Sequence, residues 1–187
     1  MPAIATFGAG WLLFFGSHLY SAFRRRGPDD IRARAQGPYI GVYSLVSLVG
    51  LVALAYGYDG WRNTIPVWDP PVWTRHLGLL LNPIAFVLLA AAYAPTGYIA
   101  RAVKHPMLAG VKLWALAHLI ANGDLASIVL FGSFLAYGVI DRIALKRRGD
   151  PGKGRKGGEP ARLSGDLIAL AVGAAASAAM IFWAHPE

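Results

Sequence analysis

Residues 105–124 read HPMLAGVKLWALAHLIANGD, an apolar run with a histidine near each end, a lysine inside it and a polar Asn-Gly-Asp turn at its exit. Leu108, Val111, Ala115, His118 and Asn122 recur at steps of three and four. On a helix they form one stripe, with His118 set above the small Ala115 and room for a flat group beside the imidazole. In a bilayer, polar residues on such a helix are expensive and become functional candidates by default. The solvent around this stretch therefore decides how the chain is read.

Composition points to a bilayer. Of 187 residues, 56% are hydrophobic and only 15% charged, against about 25% charged in a soluble domain. The chain reads as one integral membrane domain spanning residues 1–187. A net charge of +8 would suggest nucleic acid in a soluble protein, but the basic residues lie in short segments between apolar runs, so they set orientation instead. The absence of cysteine excludes disulfides, thiolate metal sites and the thioether attachment of a c-type haem.

Working outward, six apolar stretches match the roughly 20 residues that cross a core of about 30 Å. They are predicted at residues 3–23, 38–58, 72–94, 106–122, 125–145 and 165–184. The first ends at Arg24, Arg25 and Arg26 and has no positive charge before it, which fits a retained anchor rather than a cleaved signal. In the second, Gly41, Ser44, Ser47 and Gly50 offer a small-residue packing surface, as do Ala169, Gly173 and Ser177 in the sixth. Pro83 is expected to kink the third span. Pro106 suits the first turn of the fourth, and Asp124 can cap the fifth.

Basic residues alternate between the connections as the positive-inside rule demands. The segments after spans one, three and five carry Arg24, Arg25, Arg26, Arg32 and Arg34, then Arg101 and Lys104, then eight between Arg142 and Arg162. The loop after span two holds only Arg62, with Arg75 just inside span three, and the turn after span four holds none. The fold class is thus all-α, an integral membrane bundle of about six transmembrane helices with both termini outside. Tyr56, Tyr58, Trp61, Trp68 and Trp73 make an outer aromatic belt. The basic loop 146–164, with its DPGKGRKGGEP core, is expected to be a flexible cytoplasmic connector.

Depth along straight helices sorts the histidines. His18 lies roughly 8 Å from the inner end of span one and His105 at the inner end of span four. His76 and His118 each lie roughly 6 Å below the outer surface. This favours an outer pair, His76 with His118, and an inner pair, His18 with His105; His185 is a tail residue. Imidazoles facing a bundle core suit haem iron, and hydrogen-bonded core histidines are the alternative. A hydrolytic zinc site is disfavoured, because the only glutamates are Glu159 and Glu187 and no span pairs a carboxylate with a histidine. Lys112 either meets a cofactor carboxylate or snorkels to the inner interface.

HPMLAGVKLWALAHLIANGDLASIVLFGSFLAYGVIDRIALKRR (residues 105–148), FGSHLYSAFRRR (15–26) and GVYSLVSLVGLVALAYGY (41–58) resemble the NnrU family, bacterial membrane proteins associated with nitrite and nitric oxide reduction. That family is similar in turn to 15-cis-zeta-carotene isomerase, which uses haem b. The resemblance implies a multi-pass protein of the bacterial cytoplasmic membrane that holds haem b through His18 and His118; the depths along straight helices keep His76 as the alternative partner of His118. It implies either nitrogen-oxide chemistry, by ligand binding or electron transfer, or carotenoid cis-trans isomerisation on a hydrophobic substrate. HPMLAG also resembles the His-Pro opening of isoprenylcysteine-type methyltransferases, whose later paired glutamates are missing. A non-catalytic assembly or transport factor is the remaining reading.

Overall fold

A computed structural model describes residues 2–24, 30–153 and 160–184, the side chains of residues 33, 183 and 184 excepted. The fold is all-α. Six apolar helices stand where the hydropathy places them: α1 (Pro2–Phe23), α3 (Gln36–Asp59), α4 (Val72–Tyr93), α6 (Pro106–Ala121), α7 (Leu125–Arg147) and α8 (Leu163–Ala179), the last extended by a π turn, Met180–Ala184. Two short helices, α2 (Ile31–Arg34) and α5 (Tyr98–Val103), lie in the basic connections. Five of the helices are long and apolar enough to cross a membrane, and α6, at 16 residues, is shorter. The chain is a multi-pass membrane protein in which α6 rises about 24 Å, less than the full hydrocarbon thickness.

Helix ends follow local chemistry. Pro106 opens α6 at its first turn, where a missing N–H costs nothing. Asp124 accepts from the Ser127 backbone N–H at 3.1 Å, capping α7 as its position predicts. Pro83 sits inside α4, which continues unbroken through it, giving up the one bond the proline cannot donate.

The chain divides into two compact units. The first comprises Met1–Val67 and Asp124–Leu130. Here α1 and α3 run antiparallel with glycines at the crossing points. A Cβ on Gly10 would stand 2.5 Å from the Leu54 nitrogen, one on Gly50 would stand 2.7 Å from that of Phe14, and one on Gly57 would overlap the Phe7 backbone. The packing face of α3 is therefore Ser47, Gly50, Leu54 and Gly57. The expected face holds only in part, since Gly41 has open space beside it and Ser44 is exposed. α3 is apolar almost all round, so small size alone did not reveal which side met α1. Trp61, expected in the outer belt, is buried instead, edge-on to Phe7 with ring centroids 5.0 Å apart; Tyr56, Trp68 and Trp73 are exposed.

The second unit comprises Trp68–Gly123 and Phe131–Glu187. α4 packs antiparallel on α6, with Gly78 against Ala117 and Ala121 and Gly110 against Ala85 and Leu89. On α8, Ala169, Gly173 and Ser177 are all buried, and a Cβ on Gly173 would stand 2.6 Å from Val87 Cα. The Asp166 carboxylate accepts from the backbone N–H groups of Tyr98 at 2.9 Å and Ile99 at 3.0 Å, satisfying the first turn of α5 from another helix.

Part of the connector expected to be a flexible cytoplasmic loop is docked. Lys153 donates from Nζ to the carbonyls of Ala91, Ala92 and Ala94 at 2.9, 2.8 and 2.5 Å, at the end of α4. A cation at a helix C-terminus satisfies orphan carbonyls and complements the dipole, and burial pushes the Lys153 ammonium pKa down. Its backbone N–H also reaches the Lys104 carbonyl at 2.7 Å. Residues 154–159 of the connector, and His185, lie outside the described residues.

Candidate functional site: two tautomer-fixed histidines

On α6, His118 follows Trp114 by one turn, and its Nδ1 lies 2.9 Å from the Trp114 carbonyl oxygen. A carbonyl can only accept, so Nδ1 carries the proton and the neutral ring presents its lone pair at Nε2. The imidazole is held between aromatic rings. It stacks on Phe131 with centroids 4.7 Å apart and planes 27° apart, and lies 5.0 Å from the Trp114 ring. Trp114 in turn meets Phe131 and Phe134 edge-on at 5.2 and 5.4 Å. The space expected beside Ala115 is filled, because Ala115 is completely buried; that turn of the stripe is a packing face.

His18 repeats the arrangement in the other unit. Its Nδ1 lies 2.7 Å from the Phe14 carbonyl oxygen, again one turn back, which assigns the lone pair to Nε2. The ring stacks on Phe14 at 4.1 Å and has Tyr43 of α3 at 5.4 Å. Both histidines are half-buried. A metal-binding imidazole needs this tautomer, fixed by a bond to its other nitrogen and walled from water.

The other candidates are placed differently. His76 is exposed on α4, about 200° round the helix from Thr74 and Gly78, which are buried on the side that packs against α6. His105 precedes Pro106 at the start of α6, close to the Asp150 backbone. Burial, then the nearby Arg142 charge, hold its pKa below the ordinary value against the opposing pull of Asp150 and Asp141, and its Nε2 is buried without a hydrogen-bond partner. The stem of Lys112 lies across Gly138 of α7, where a Cβ would come within 2.5 Å of its Cγ. Among the described residues no three His, Asp or Glu side chains group to hold a metal ion by themselves.

Sequence reasoning missed the aromatic walls, although a signal was present: an aromatic residue precedes each histidine by four, as Phe14 and Trp114. It also missed a polar chain in the first unit. The Ser127 hydroxyl donates to Asp124 Oδ2 at 2.5 Å and lies 2.8 Å from the Tyr58 hydroxyl. Burial pushes the Asp124 carboxyl up, but the bonds from the Ser127 side chain and backbone more than offset this and leave its pKa below the ordinary value.

The family model described as NnrU protein matches residues 6–187, nearly the whole chain. The chain belongs to the NnrU family. No curated protein and no solved structure matches it. For this NnrU chain the match covers both units and both tautomer-fixed histidines, and extends over the loop and last span that the sequence resemblance left aside.

Proposed function

We propose that this NnrU protein binds haem b non-covalently in the bacterial cytoplasmic membrane, with His118 as the indispensable iron ligand and His18 as the second ligand that the family resemblance implies, and that it serves nitrite or nitric oxide metabolism. The observation that carries the reading is the shared i−4 bond: two histidines on different helices each commit Nδ1 to a backbone carbonyl and keep the lone pair at Nε2. This donor set suits haem iron, and the surrounding Phe, Trp and Tyr rings suit an apolar macrocycle. When bound, haem supplies reversible small-ligand binding or one-electron transfer. The protein's part is to orient the imidazoles, exclude water and, through Lys112, provide a cation for a propionate. His76, exposed and turned from α6, is the less favoured partner, and His105 stands at the N-terminal end of α6, three turns and more from His118.

Absorption spectra of the detergent-purified protein, oxidised and dithionite-reduced, test this. A low-spin haem b spectrum is expected, with pigment extractable by acid-acetone and one haem per chain. His118→Ala should lose haem or turn it high-spin, His18→Ala should abolish the low-spin spectrum, and His76→Ala should leave it intact. No Soret band in protein made with added haem, or an unchanged spectrum in His118→Ala, would remove the reading.

A further inference from the structure

At the end of the second unit where α4 and α7 finish and α6 begins, a short strap of chain closes over a bend. The chain leaves α7 through Gly149, whose φ of 66° lets its N–H return to the Lys146 carbonyl and the Asp150 N–H to that of Leu145, a common glycine exit from a helix. Asp150 Oδ1 then accepts from the Gly152 N–H at 2.9 Å. Gly152 lies so close to Lys104 that a Cβ there would stand 2.4 Å from the Lys104 carbonyl oxygen, the same oxygen that accepts the Lys153 N–H. The strap ends in a clasp, the Lys153 ammonium on three carbonyls of the α4 terminus.

Beneath the strap the backbone is strained. Lys104 has φ 68° and ψ −48°, and the His105 N–H bonds to the Val103 carbonyl at 2.9 Å; this is a γ-turn of positive φ, the rare and strained form. Beside it, His105 Nε2 is buried without a hydrogen-bond partner. The charges that act on the ring are Asp141 and Arg142 of α7 and Asp150 of the strap. Asp141 is shared with Arg148 at 3.8 Å, Lys104 is the chain neighbour, and Arg101 of α5 is exposed.

We propose that residues 149–153 form a releasable strap, clasped by Lys153 and loaded by the turn at Lys104, that opens when His105 takes up a proton. Closed, the strap keeps Nε2 dry with no acceptor, so a proton added there has nothing to bond. Open, it gives the imidazole water and lets Lys104 relax. Burial and Arg142 hold the His105 pKa below its ordinary value in the closed form, so the open form binds the proton more readily. Closure is therefore favoured above the ordinary value of 6.5 and loses ground as pH falls below it. The basic connections put this end in the cytoplasm, where acidification would open the strap. Neither His18 nor His118 takes part, so the inference stands apart from the haem reading.

Hydrogen–deuterium exchange of the full-length protein in detergent, read on peptides covering residues 149–153 and corrected for the intrinsic pH dependence of exchange, tests it. From pH 7.5 to 5.5 opening should rise by up to about tenfold, the limit for an imidazole of ordinary pKa that ionises only in the open form. His105→Gln cannot titrate and should abolish this step. Lys153→Met should leave the strap open at both pH values, and a strap still protected in that variant contradicts the clasp. Equal protection of the wild type at both pH values, or a step that survives His105→Gln, overturns the proposal. Arg142→Gln removes the charge that opposes protonation and should shrink the step, so it decides the matter even if His105→Gln fails to fold; an undiminished step there counts against the proposal.

Discussion

At the scale of single residues, one carboxylate carries several obligations. Asp124 is 6% exposed, and hydrogen bonds from Ser127 keep it ionised. Its depressed pKa means that its contribution is complete above the ordinary value of 3.8 and fades as pH falls through the lower folded value. Asp124→Ala should therefore cost about 1–2 kcal/mol at neutral pH, the usual size of a lost N-cap. The gap to wild type in detergent unfolding should close below about pH 4, and a gap of constant size from pH 7 to 3 would contradict this account. Asp124 was legible as a cap from Asn122-Gly123-Asp124 alone. Its link through Ser127 to Tyr58 was not, because that contact closes 69 residues of chain. The histidines were legible in kind, and their tautomers became legible only once helix geometry set each Nδ1 against a carbonyl.

Helices separate what hydropathy can see from what it cannot. All six predicted stretches carry helices that end within three residues of expectation once the π turn is counted with α8, and in five of them length and apolar content suffice to define a membrane helix. α2 and α5, at four and six residues, are too short to show a period, and α5 takes its N-terminal partner from Asp166, 67 and 68 residues further on. Which side of α3 meets α1 was half legible, because in lipid a packing face is set by small size and shape rather than by apolarity. Paired substitutions expose the difference. Gly50→Ala puts a Cβ 2.7 Å from backbone and should destabilise by about 1–3 kcal/mol. Gly41→Ala, with nothing within 4 Å, should be neutral or stabilising by up to about 1 kcal/mol. Thermal unfolding in one detergent checks both, and equal effects would mean that the α1–α3 crossing is wrong.

Over the whole molecule, topology rests on the alternation of basic connections. Reporter fusions placed after Gly157 and at the C-terminus should read opposite compartments, and the same compartment for both would overturn the orientation. The fold also has a built-in order of assembly. The first unit is discontinuous: it needs Asp124–Leu130 to complete Met1–Val67. The Ile65 carbonyl waits for the Leu125 N–H, and Tyr58 waits for Ser127. At about 5–20 residues per second, a ribosome that has just finished Val67 takes about 3 to 11 s more to reach Asp124. Throughout that interval α1 and α3 must stay paired in the membrane through the contacts they make with each other, chiefly the glycine crossings and the Ser17–Ser47 and His18–Tyr43 contacts, so a weakened Gly50 crossing exposes the nascent chain to quality-control proteases before the rest of its own unit has been synthesised.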